Sequence, residues 1–178
     1  MSEKETVLFG IPIPSDNNIF LVIVTIHICL GIVCVLSGLL AMVSKKGSRT
    51  HIASGRTYYW ALMLVFITVV PLSIMRWPLN NHLFILGTLS FGTAYYGRHV
   101  IRQGKLASSR LHTICMGLSY IFLLTAFYVD NGKHLPFWKQ FSQLFFWIFP
   151  AALGIPIIVY SLLRHPLNKS VQKESKQI

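Results

Sequence analysis

The chain has 178 residues, of which 53% are hydrophobic, 13% aromatic and only 12% charged, and its formal net charge is +11. These proportions lie far from those of an average soluble domain and place the protein in a lipid bilayer. A sequence of this length forms one domain, and its basic residues, spread over several short segments without a recognition element, exclude nucleic acid as a partner.

A helix needs about 20 apolar residues to cross the hydrocarbon core. Five stretches meet that requirement: residues 20–43, 58–75, 83–101, 112–129 and 141–163. The expected fold is an all-α polytopic bundle of five transmembrane helices over 20–165, with a mixed N-terminal segment at 1–19 and a polar tail at 166–178. In lipid such a bundle is held by close packing of small residues and by interhelical hydrogen bonds.

The first stretch is too long for a signal-peptide core and has no basic segment before it, so it is expected to remain in the mature protein. It contains His27, about seven residues or roughly 10 Å from its outer end at 1.5 Å per residue. An ionisable group at that depth is a functional candidate. The competing reading is a neutral imidazole hydrogen-bonded to Thr25 or to a residue on another helix. Cys29 and Cys34 point in different directions on one helix and cannot bridge; with Cys115 they read as packing residues. The absence of CxxC and CxxCH excludes covalent c-type haem and a thiolate cage.

The second stretch is introduced by Ser48-Arg49-Thr50-His51, with Ser48 or Thr50 as N-cap, and holds Pro71, which bends the helix or frees a carbonyl. The third presents a small face of Gly87, Ser90, Gly92, Thr93, Ala94 and Gly97 and ends on Arg98, His99 and Arg102. The fourth is introduced by Ser109-Arg110-Leu111-His112, 61 residues after the first copy of this pattern, with Ser109 as N-cap. The same offset relates Gly31 to Gly92 and Tyr59 to Tyr120, which suggests an internal repeat of helices one and two in helices three and four. The fifth is interrupted by Pro150, Gly154 and Pro156.

Lys and Arg are retained on the cytoplasmic side of short loops. Positions 45, 46, 49, 56, 98, 102, 105, 110, 164, 169, 173 and 176 fall on one side, 12 of the 16, against Lys4, Arg76, Lys133 and Lys139 on the other. The expected placement is the bacterial inner membrane, N-terminus outside and C-terminus cytoplasmic. The basic face then meets anionic lipid headgroups.

Histidines mark the candidate sites. His51 and His112, at matched helix starts where the helix dipole favours the neutral imidazole, are suited to hold the iron of haem b axially. Arg49, Arg56 and Arg110, joined by Arg98, His99 and Arg102, would clamp its carboxylates. The same set would serve a quinone or an anionic headgroup, and it competes with ordinary snorkelling and topology residues. His165 falls on the same side. On the outer side, His27, His82 and Asp130, near His134, would form a metal site or proton relay. Asp130 competes as part of a helix-ending turn with Asn131 and Gly132.

His27-x-x-x-Gly31, His51-Ile-Ala-Ser-Gly55-Arg56-Thr-Tyr58, His112-x-x-x-Met116, Tyr128-Val129-Asp130-Asn131-Gly132 through Leu135-Pro136, and Pro150-x-x-x-Gly154-x-Pro156 followed by Leu163-Arg164-His165 run through nearly the whole chain. Together they resemble a bacterial multi-pass membrane family known as domain of unknown function 2306. The resemblance implies a membrane bundle and no particular activity. A looser likeness, in helix number and histidine placement, is to cytochrome b561-type proteins, which implies haem between helices and electron transfer. This chain departs from that type in carrying His51 and His112 near the interface.

No GxSxG, HExxH, P-loop or GxGxxG is present, and acids are too few for a paired-carboxylate site, so no enzyme class is indicated. Three functional classes stay open: a redox protein using haem or quinone, a small transporter or ligand-binding membrane module, and an accessory subunit of a homo-oligomer or larger membrane complex.

Overall fold

The computed structural model describes residues 6–8, 11–13, 17–104 and 106–163. Lys4, Lys105, Arg164, His165, Lys169, Lys173 and Lys176 lie outside them. A short antiparallel pair, β1 (Thr6–Leu8) and β2 (Ile11–Ile13), precedes five helices. These are α1 (Asn18–Val43), α2 (Arg49–Met75), α3 (Asn81–Ile101), α4 (Leu106–Asn131) and α5 (Gln143–Leu163), with a 3-10 turn at Gly132–His134 after α4. Four of them, α1, α2, α4 with its following turn, and α5, are long and apolar enough to cross a membrane. The 21 residues of α3 have the length of a span but a more polar composition.

Helix starts extend beyond the apolar stretches because polar first turns are stabilised locally. Asn17 caps α1, its Oδ1 accepting from the backbone N–H of Ile19 and Phe20 at 2.9 and 3.4 Å. Ser48 caps α2, accepting from the His51 N–H at 3.2 Å. The fourth helix departs from expectation: it begins at Leu106, so Ser109 sits inside it instead of capping it. His51 therefore occupies a first helical turn, whereas His112 lies in the second turn of α4.

The helices form an up-and-down meander in which α1 packs on α2, α3 on α4, α4 on α5 and, less extensively, α2 on α3; α1 also touches α4. The α1–α2 and α3–α4 turns consequently share one end of the bundle. Both contain a glycine in the left-handed region, Gly47 at φ +78° and Gly104 at φ +68°, which a side chain rarely adopts. Lys45, Lys46, Arg49, Arg98 and Arg102 lie at this end, called here the basic end.

The buried centre is polar at its heart. The Tyr58 hydroxyl hydrogen-bonds the Ser119 hydroxyl at 2.7 Å, Ser90 donates to the Ser119 carbonyl at 2.8 Å, and Tyr120 donates to the Val35 carbonyl at 3.0 Å. Four helices are thus joined by side chains that are buried or, for Tyr120, half-buried, where an unpaired hydroxyl is costly. Cys34, Ala61, Leu62, Val65 and Ala94 pack around this core. Gly38 is required there: a Cβ at this position would stand 2.6 Å from the Tyr120 ring.

The α4–α5 interface is reciprocal. Ile158 of α5 fills the space over Gly117 of α4, and Ile121 of α4 fills the space over Gly154 of α5; an added Cβ would meet these isoleucines at 2.5 and 2.4 Å. At the end opposite the basic one, Tyr128, Trp138, Phe141, Phe145 and Phe149 form a continuous aromatic cluster, with Trp138 and Phe149 at 4.9 Å between centroids.

Candidate functional site

Helix ends leave carbonyls without intrahelical donors, and His51 is placed against one, whereas His112 adds a second donor to a carbonyl one turn inside α3. The His51 Nδ1–H donates to the Ala41 carbonyl in the last turn of α1 at 2.9 Å. The His112 Nδ1–H donates to the Gly97 carbonyl, near the end of α3, also at 2.9 Å. A carbonyl only accepts, so in each neutral imidazole the proton resides on Nδ1 and the lone pair on Nε2. That is how a metal-ligating histidine is oriented by its outer partner.

His112 lies within electrostatic reach of His51 and of Lys46. Gly97 makes this approach of α3 to α4 possible, since a Cβ there would be 2.8 Å from Cys115 Cβ. Arg49 and Arg56 are exposed on α2, and Arg110 is half-buried in the first turns of α4. Among the described residues no group of three or more His, Cys, Asp or Glu could hold a metal ion. Two histidines alone fall short of the three or four protein ligands that a bare ion such as zinc takes.

Beside the pair, a cleft of about 180 Å³ opens between α2 and α3, lined by Tyr59, Trp60, Tyr95, Arg98, His99 and Arg102. The Arg98 guanidinium stacks over Tyr59 at 4.3 Å from the ring centroid and reaches Trp60 at 5.8 Å. Arg98 and His99 thus line a cleft with Arg102. Tyr59, Trp60 and Tyr95 were not evident from the sequence as site residues. Hairpin arithmetic offers the signal: Tyr59 lies 16 residues before the end of α2 and Arg98 17 after the start of α3, at the same level.

The opposite end separates its candidates. His27 is half-buried, and its Nδ1 pairs with the Thr68 hydroxyl of α2 at 2.8 Å, while that hydroxyl donates to the Val65 carbonyl at 2.9 Å. This chain of bonds accounts for the Nδ1 side of a neutral imidazole, which donates to Thr68. His82 and Asp130 come within electrostatic reach of each other, together with Lys133, His134 and Arg76. The His82 ring also lies 6.2 Å from the Trp147 ring. Asp130 is the one acidic residue among those described. Cys34 and Cys115 are buried and Cys29 is exposed, all as free thiols.

No protein-family model, no curated protein and no solved structure matches this chain.

Proposed function

We propose that this is a five-span inner-membrane redox protein that binds haem b between His51 and His112, with Arg49, Arg56 and Arg110 near the cofactor carboxylates. In this reading α3 crosses the membrane, the basic end faces the cytoplasm, and the family likeness to domain of unknown function 2306 covers nearly the whole chain after residue 18. The observation that carries it is the doubled tether: two imidazoles at the basic end, each with Nδ1–H spent on a backbone carbonyl of the preceding helix and Nε2 left as a ligand. Haem in such a site supplies reversible one-electron transfer.

The repeat of α1–α2 in α3–α4 belongs to the same proposal. It is supported by two positions 61 apart that meet each other, Tyr58 with Ser119 in the core, while His51 and His112 lie at one end of the bundle. Residues equivalent under a two-fold along the membrane normal meet in this way at the axis.

The test is the visible spectrum of protein made with abundant haem precursor, oxidised and then reduced with dithionite. A Soret band that shifts on reduction and is lost in both His51→Ala and His112→Ala supports the proposal; a colourless protein refutes it. A second reading, a small ligand-binding or transport module, is favoured by the polar group of Asp130, His82, Lys133, His134 and Arg76 at the other end.

A further inference from the structure

Tyr59, Trp60, Tyr95, Arg98, His99 and Arg102 combine three features that ordinary topology residues need not share. First, the cationic groups are arranged around a concavity. Arg98 is fixed over the Tyr59 ring, and Arg102 and His99 follow it on the last turn of α3. Stacking on a ring face uses none of the five guanidinium N–H donors, so Arg98 is oriented while keeping its hydrogen-bonding capacity.

Second, nothing in the described protein neutralises them. Asp130 is the single described acid, and it lies at the far end of α4, about 36 Å from Leu106 at 1.5 Å per residue. Third, the cleft has an aromatic rim that faces outward: Trp60 and Tyr95 are 49% and 56% exposed. Amphipathic rings of this kind sit at headgroup level in a membrane, with the apolar body toward the acyl region.

A ligand matching all three features carries a compact anion and an apolar extension. The cleft, at about 180 Å³, is smaller than the pockets of about 300 Å³ or more that enclose whole drug-sized molecules. It accommodates a headgroup fragment while the rest of the molecule remains in the bilayer. We infer that the α2–α3 cleft is a binding site for the phosphate headgroup of an anionic phospholipid, held by Arg98 and Arg102 with the glycerol and acyl region against Trp60 and Tyr95. The inference rests on α3 lying in the membrane, as proposed above, and is independent of the histidine pair. A colourless protein therefore leaves it intact.

Full-length protein in mild detergent is offered equal amounts of phosphatidylglycerol and phosphatidylcholine, and lipid retained per chain is counted by native mass spectrometry. One phosphatidylglycerol per chain, preferred about tenfold, is expected; losing one charge-assisted contact in Arg102→Ala weakens retention about tenfold. Arg98→Ala should act similarly, and Arg98→Lys should recover only part, since it keeps charge without the planar stack. Should Arg98→Ala fail to fold, the exposed Arg102 still gives the test. Lys139→Ala, a charge removed at the opposite end of the bundle, should retain lipid normally. Equal retention of both lipids, or unchanged retention in Arg102→Ala, overturns the inference. Displacement by inorganic phosphate assigns the cleft to a soluble anion, and displacement by a short-chain quinone assigns it to a quinone; either result overturns the lipid.

Discussion

His51 has two separable duties, and substitution can divide them. Its Nδ1–H satisfies the Ala41 carbonyl at 2.9 Å, while its Nε2 is the proposed ligand atom. In α1 the Leu40 carbonyl receives both the Ser44 N–H and the Ser44 hydroxyl, at 3.1 and 2.6 Å, whereas Ala41 receives its donor from His51 across the turn. His51→Ala therefore removes a well-formed bond and leaves a half-buried carbonyl. That loss is about 0.5–1.5 kcal/mol, or a melting shift of about 2–4 °C near 1 kcal/mol for a protein of this size. His51→Asn places an amide N–H on the side-chain δ position and should restore the bond with Ala41 while offering no Nε2. Thermal unfolding of the haem-free proteins, followed by helical circular dichroism, should rank wild type and Asn together, with Ala lower. Absorption from bound haem should be absent from both variants. If Asn melts as low as Ala, the carbonyl tether is not what His51 contributes to stability. If Asn keeps the Soret band, His51 is not an iron ligand.

Tyr58→Phe should cost about 1–2 kcal/mol by unpairing the buried Ser119 hydroxyl, and adding Ser119→Ala should cost less than the sum of the single changes, read from denaturation in detergent. Gly154→Ala drives a Cβ to 2.4 Å from Ile121 and should destabilise by about 1–3 kcal/mol. Combined with Ile121→Ala, which opens that space, it should cost clearly less than the two alone; strict additivity would mean that the glycine–isoleucine fit is not the constraint. In a cysteine-free background, Leu79→Cys should react with an impermeant maleimide from outside intact cells and Gln103→Cys only after permeabilisation; labelling of both from one side would mean that α3 does not cross the membrane.

Helix existence was legible because apolar runs of span length have few alternatives. Helix starts were less so. Hydropathy at 58 and 112 marks where the chain becomes apolar, but α2 and α4 begin at Arg49 and Leu106, since a polar turn continues as helix once it is capped or paired. The third helix shows the converse: its glycines, Ser90 and its histidines supply close packing and polar ends at the expense of bulk apolarity. At the candidate site, the matched spacing drew attention to His51 and His112, but their partners are the backbone carbonyls of Ala41 and Gly97, and every residue has such a carbonyl. His27 illustrates a different limit. Its Thr68 partner is 41 residues away, and only the relative rotation of α1 and α2 selects it over Thr25, which bonds its own helix at Leu21. The aromatic members of the α2–α3 cleft were hidden for the same reason, because facing is a property of helix pairs and not of single segments.

The reciprocal seating of Ile121 on Gly154 and Ile158 on Gly117 also acts as a depth gauge. Sliding α5 along α4 by one residue, about 1.5 Å, lifts both isoleucines from their notches together, and the next helical repeat is a full turn of about 5.4 Å away. The two helices therefore share a single vertical setting. Two glycines on different helices, rather than the thickness of the surrounding lipid, determine the level at which α5 stands against α4.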